Sequence, residues 1–423
     1  MALTKYWSVM HRKSIVLVFL FSFVALFSWG QNNTNSPYSR FGYGDLHGNA
    51  AGEYQAMGGV TMAMRSNRSI NPANPASYTA VDSMTFMFDL GISGQISHFS
   101  DASGVRNLGN GNLEYLTMQF PLTKWMAGSI GLLPYSFVGY EFAQNDKVLM
   151  PNASMDPDTI SYTKMFYGTG GVSQVYLGLS FELFNHVSLG ANAYYMFGKV
   201  NNSRQLSFVN SDNTATLQEN NLKVSDFRFR FGAQFYHTFA YKHYVNLGLA
   251  YEFKSKLNGH FSQIESVTAD TTMYGVDGFD LPSYYGGGIN YTYDDRLTIA
   301  AEYSLQEWSK ANYFGRKDSL INTHRIALGA EYRHDPQGKR YVDRMAFRLG
   351  AHASTPYIKE MMGNQQNFGI TFGVGFPLRT SKTYVNTTFE YGKKGSVATL
   401  REDYFKLTIS ASFNEMWFFK RKL

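Results

Sequence analysis

Apolar and polar residues alternate along most of this chain in runs of about ten, each closed by a turn or loop. The clearest run is 404–413. Phe405, Leu407, Ile409, Ala411 and Phe413 share one phase, and Lys406, Thr408, Ser410 and Ser412 share the other. A strand has a period of two, so this segment carries one apolar and one small polar face. Fourteen strand candidates follow one another: 84–99, 113–120, 126–142, 160–183, 187–206, 223–238, 244–256, 281–293, 297–308, 323–334, 343–354, 366–377, 383–394 and 404–413. The fourth merges two pieces across Gly168, Gly170 and Gly171, because bacterial single-chain barrels have an even strand number.

The connections alternate in length. Those at 121–125, 184–186, 239–243, 294–296, 335–341 and 378–382 are short, while others such as 143–159, 207–222 and 257–280 are long. Short turns at one end and long loops at the other fit a transmembrane barrel with both mature termini in the periplasm. A propeller would repeat blade motifs, and none is present. The pattern therefore predicts an all-β protein: a fourteen-stranded antiparallel transmembrane β-barrel over 84–413, followed by a tail at 414–423.

The N-terminus adds a compartment. Lys5, Arg12 and Lys13 precede an apolar stretch at 14–29, and Ser28 and Gly30 are spaced for cleavage before Gln31. The stretch is shorter than the ~20 residues of a spanning helix, so 1–30 reads as a signal peptide. Composition agrees with a barrel. The chain has 423 residues, 16% aromatic and only 17% charged, and no cysteine. Mean hydropathy is −0.27, too low for a helical membrane protein but expected where half of each strand faces a wet lumen. Net charge is +6, with three of the bases in the leader, too mild to argue for nucleic acid.

Residues 31–83 break the pattern. They hold a short possible helix near 50–57, Gly58 and Gly59, and prolines at 72 and 75 that forbid a paired strand. A disordered leader is one reading. An ordered hatch inside the barrel is preferred, because the strands need something to fill their interior.

The strand phase sorts the charges. Phe227, Phe229, Phe231 and Phe235 face out, which turns Arg228 and Arg230 inward; Glu182, Glu252, Glu302, Glu331, Arg348 and Glu390 follow the same phase. A charge at the lipid midplane costs about 2–4 kcal/mol, so the lumen is the expected place. Either they pair with each other and the hatch, or they form a substrate path. Gly232, Gly248, Gly329, Gly350, Gly369, Gly373 and Gly375 share that phase, as expected where a hatch packs on the wall or where side chains need room. Pro134 lies inside the third strand and marks either a rim bulge or a lateral opening toward lipid. No hydrolase, zincin or P-loop motif is present, and the ten His lack ligand spacing, so no catalytic residue, metal or cofactor is expected.

Ala56, Met57, Gly58, Gly59 and Val60, followed by Asn71, Pro72 and Ala73, resemble the hatch motifs of the FadL/TodX family of outer-membrane transporters. A second copy of the motif stands at Asn74, Pro75 and Ala76. The opening from Ser36 to Gly42 looks like members from Bacteroidetes-type bacteria. The resemblance implies a hatch in a fourteen-stranded barrel, a ligand of the long-chain fatty acid or aromatic class, and sideways exit into outer-membrane lipid at a kinked third strand. Relatives also serve as partner or scaffold subunits in secretion and assembly, which leaves a protein partner as the alternative.

Overall fold

The computed structural model describes residues 33–416, apart from 103, 151–157, 209–215, 266–269, 275–278, 314–318, 360–366, 379–382 and 397–399. The signal-peptide reading of 1–30 and the end of the expected tail, 417–423, lie outside the described residues.

Fourteen strands form the wall: β1 Thr85–Asp101, β2 Gly104–Pro121, β3 Met126–Met150, β4 Asp158–Leu183, β5 Val187–Phe208, β6 Thr216–Phe239, β7 His243–Glu252, β8 Tyr284–Tyr293, β9 Leu297–Gln306, β10 Thr323–Tyr332, β11 Ala346–Ser354, β12 Asn367–Pro377, β13 Tyr384–Ser396 and β14 Leu400–Met416. Each pairs antiparallel with the next, and β14 pairs with β1 from Arg401↔Ser100 to Met416↔Thr85, which closes the barrel. The alternation is realised as burial: Phe227, Phe229, Phe231 and Phe235 are exposed on the outside, while Arg228, Arg230 and Gln234 between them are buried.

The fourth strand is continuous through Gly168, Gly170 and Gly171. Several strands outrun their sequence signal. β3 reaches Met150 rather than 142, β5 reaches Phe208, and β6 begins at Thr216, so the connections expected at 143–159 and 207–222 shrink to 151–157 and 209–215. The length added to β6 is polar on both faces: Glu219, Asn220 and Asn221 lie opposite Ser203, Asn202 and Asn201 of β5. A ladder standing clear of lipid needs no apolar face, so the alternation disappears while the hydrogen bonds continue. The connection expected at 257–280 carries its own hairpin, with Gly259–Glu265 paired to both β6 and Asp270–Tyr274. β14 runs on past Phe413 through Asn414, Glu415 and Met416.

The short connections are tight. Phe184 and Asn185, Ala240 and Tyr241, and Asp294 and Asp295 all have positive φ, as primed two-residue hairpin turns require. Phe184 and Tyr241 pay that conformational cost while almost fully exposed. Aromatic side chains at the end of a membrane barrel favour the headgroup layer, which explains large residues where glycine would be easier.

Candidate functional site

Between β2 and β3 the wall is only partly zipped. Their ladder runs from Pro121↔Ala127 to Leu116↔Leu132 and stops. Beyond it, among the described residues, β2 pairs with β1 alone and the wall partner of β3 is β4 alone. Pro134 stands just past the last pair. It offers no N–H, and the β3–β4 register shifts between Pro134 and Ser136.

The N-terminal segment sits against both free edges. On the β3 side, Asp45 and Leu46 pair antiparallel with Phe137 and Ser136. His47 N donates to Tyr135 O at 2.9 Å, and Gly139 N donates to Ser39 Oγ at 3.1 Å. On the β2 side, Asn35 Nδ2 donates to Gly109 O at 3.0 Å, while Asn110 and Asn112 donate to Asn33 O at 2.9 and 2.7 Å.

Further on, the same segment packs on the inner wall. Both Asn-Pro-Ala copies build the same turn. Asn71 Oδ1 accepts from Ala73 N at 3.2 Å and Asn74 Oδ1 from Ala76 N at 3.1 Å. Their amides donate back into the segment, Asn71 to Thr61 O at 2.7 Å and Asn74 to Met62 O at 2.6 Å. Each proline fixes φ and has no N–H to satisfy, so these turns are rigid and need few partners. Pro72 O accepts from Asn192 and Tyr194 of β5, and Ala76 O from Ser188. Gly58 and Gly59 both have positive φ, and a Cβ on Gly58 would lie 2.7 Å from the carbonyl oxygens of Leu328 and Ala351. Of the inward glycines, Gly232, Gly248, Gly329, Gly350 and Gly373 abut Asn74, Met62, Met57, Gly58 and Ala56; Gly369 and Gly375 instead make room for His352 and Arg348.

Most of the inward charges join wall to segment, while others pair within the wall. Arg348 Nε meets Glu331 at 2.7 Å, its Nη2 meets Glu53 at 2.8 Å, and its Nη1 donates to Asn386 at 2.8 Å. Arg333 contacts the second Glu331 oxygen at 3.0 Å. Arg228 and Arg230 both pair with fully buried Glu252, and Arg230 also donates to Ala73 O at 2.9 Å. Glu302 accepts from Thr61 N and Met62 N at 2.5 and 2.8 Å. Glu182 accepts from Tyr236 at 2.7 Å with Arg65 3.8 Å away, and Glu390 accepts from Tyr404 at 2.8 Å.

A cavity and a packed apolar region lie beside the segment. The first is a cavity of about 370 Å³ whose walls include Asn110, Asn112, Glu114, Arg325, Glu390 and Lys406. Its charges are paired: Lys406 with Glu114 at 2.8 Å and Lys394 with Asp45 at 2.6 Å. The second region is apolar. Trp308, Phe279, Leu281 and Tyr357 from the long connections pack with Val138, Phe166 and Val200 from the strands and with Tyr43 from the segment. An aromatic core thus caps the long-loop end, while a polar cavity adjoins the incompletely zipped wall.

Sequence reasoning missed Asp45, His47, Glu53, Glu114 and Lys394. Glu114 was concealed by a bulge: the β1–β2 register shifts at Gly91 and Ile92, which leaves Glu114 and Tyr115 both buried. The broken alternation there was the available signal. Among the described residues no acidic and His cluster could hold a metal.

His47 makes the seam sensitive to acid. Its Nε2 lies 3.1 Å from Glu114. Burial lowers its pKa below the usual histidine range; Glu114 pulls the other way and Lys406 adds to the lowering. A group depressed on folding supports the fold above its unfolded pKa of about 6.5 and loses that support as pH falls through the lowered value. Protease nicking near His47 should therefore accelerate on acidification from neutral pH, and His47→Gln should flatten the response.

A family model described as BamG matches residues 10–423. The chain belongs to the BamG family. That is a different family from the one its hatch motifs resemble, although the fold is shared. The chain is similar to the toluene transporter TodX of P. putida at 14% identity and a TM-score of 0.56, over 89% of this chain and 100% of that one. It is similar to the CymD monoaromatic hydrocarbon channel at 15% identity and 0.54, over 88% and 98%. A FadL homologue of Pseudomonas aeruginosa aligns at 14% and 0.53, over 87% and 98%. No curated protein sequence matches the chain.

Proposed function

We propose that this protein is an outer-membrane channel for hydrophobic small molecules of the fatty acid or aromatic class, with residues 31–83 as its hatch and a sideways exit between β2 and β3. The reading rests on one observation: above Leu116↔Leu132 the segment 33–47, rather than the neighbouring strand, covers both wall edges. Unpaired backbone in lipid is costly, so a wall built this way needs a reason. A hatch arm that swings aside would open a route from lumen to bilayer without unzipping a full ladder. Proteins that share the fold include a monoaromatic hydrocarbon channel and a toluene transporter, which supports the ligand class. The inward charges hold the hatch rather than form the path, and the protein acts without catalysis or cofactor.

Lipid mass spectrometry on the purified protein tests this, wild type beside Pro134→Ala. Alanine restores a ladder donor, so β2 and β3 should zip further and ligand occupancy should fall severalfold. A hydrophobic compound enriched over bulk lipid and detergent is expected in the wild type; profiles equal to bulk lipid in both would sink the reading.

The family designation favours a second reading, a non-transport barrel subunit that partners or scaffolds outer-membrane assembly. On that reading native-membrane purification yields a stoichiometric protein partner, and Pro134→Ala leaves it bound.

A further inference from the structure

The lipid-facing side of the wall beside the seam carries a second feature. Two ladder rows of outward side chains run across β12, β13, β14 and β1. One is Ile370, Tyr391, Phe405 and Ile96, and the other is Phe372, Phe389 and Leu407. Rows two residues apart on a strand are separated by about 7 Å. Between them lies an apolar trough of about 840 Å³. It ends at β2 on a shelf of glycines: Ile96 pairs with Gly109, Leu407 with Gly94, and Gly94 with Gly111.

These glycines differ from the inward ones. A Cβ on Gly94 would meet nothing within 4 Å, and on Gly109 only Gln95 O at 3.7 Å. Packing therefore does not require glycine there, yet glycine weakens a strand. What it preserves is empty space at the free edge of β2. Around that edge, Asn110 and Asn112 alternate with the shelf glycines and line the polar cavity within the barrel.

We propose that this trough is the landing site for the acyl chain of a single-chain amphipath leaving the barrel. The chain lies between the two aromatic rows while its polar head stays at Asn110 and Asn112, where the cavity's hydrogen-bonding groups meet the seam. The inference rests on the β2–β3 exit and names where the ligand goes next. Two-tailed lipid fits less well, because one trough leads to one narrow edge with a polar space directly behind it.

Photolabelling of the full-length protein in liposomes with diazirine-bearing palmitic acid tests it, mapped by peptide mass spectrometry. Label should concentrate on Phe389, Phe405 and Ile96. Gly94→Phe, which fills open space without touching the barrel interior, should cut that label about tenfold, equivalent to ~1.4 kcal/mol of lost contact. Gly287→Phe, on the lipid face of β8 where the nearest atom is Leu249 Cδ2 at 3.5 Å, is the control and should change nothing. Label spread evenly over all apolar wall positions overturns the proposal, as does equal trough labelling by a two-tailed phospholipid probe. Palmitate uptake into the liposomes separates the two ideas. If uptake is seam-dependent but the trough stays unlabelled, the landing site fails and the exit stands; if uptake ignores the seam, the exit itself fails.

Discussion

Arg348→Leu should lower the unfolding free energy of the barrel by about 3–5 kcal/mol, the range for removing one partner of a buried ion pair. Arg348 is 2% exposed and holds Glu331 of β10 and Glu53 of the N-terminal segment in one fork. Leucine matches much of its bulk and none of its donors. Two carboxylates then remain buried, and Glu331 keeps only Arg333 at 3.0 Å and the more distant Arg68 at 3.7 Å. The loss arises from those abandoned charges rather than from any large net value of the intact network. Glu53→Gln separates wall from segment. It keeps the Arg348–Glu331 pair inside the wall and weakens only the tie to the segment, so it should cost less. Urea unfolding in detergent micelles reads the difference, and limited proteolysis shows whether the segment leaves first.

Most of the wall could be read directly from the chain, because a strand that faces lipid on one side and a filled lumen on the other must alternate. Phe405 and Leu407 outside and Lys406 between them need only local information. The double-polar stretch around Asn220 escaped for the same reason: once a strand rises out of lipid, the rule that made it visible no longer acts. The inward glycines were legible as a set but not one by one. Gly350 meets the backbone of Gly58, whereas Gly375 makes room for the Arg348 side chain, and nothing local to either glycine tells them apart. The seam was least legible. Pro134 signals a lost donor, but where the β2–β3 ladder stops depends on register between strands, and its cover comes from residues 33–47, far away in the chain. A pair such as Asp45 and Lys394 belongs to neither strand's own pattern.

A disulfide across the seam should abolish passage. Leu46 and Ser136 are direct antiparallel partners, which places their Cα atoms about 4.5–5.5 Å apart, within the span a disulfide accepts. The natural chain has no cysteine, so Leu46→Cys with Ser136→Cys creates one defined pair. The Ser136 hydroxyl is buried without a hydrogen-bond partner among the described residues, so its replacement removes no bond. Oxidation ties the segment to β3 and should stabilise the fold by about 2–4 kcal/mol. If the segment must leave β3 for ligand to exit, palmitate uptake into liposomes should fall to the rate of protein-free liposomes and recover fully on reduction, with either single variant behaving as wild type. A stable oxidised protein that still passes palmitate would mean that the seam is a fixed part of the wall. The same locked protein bears on the assembly reading, because a barrel that binds its partner through other surfaces should retain it whether the seam is tied or free.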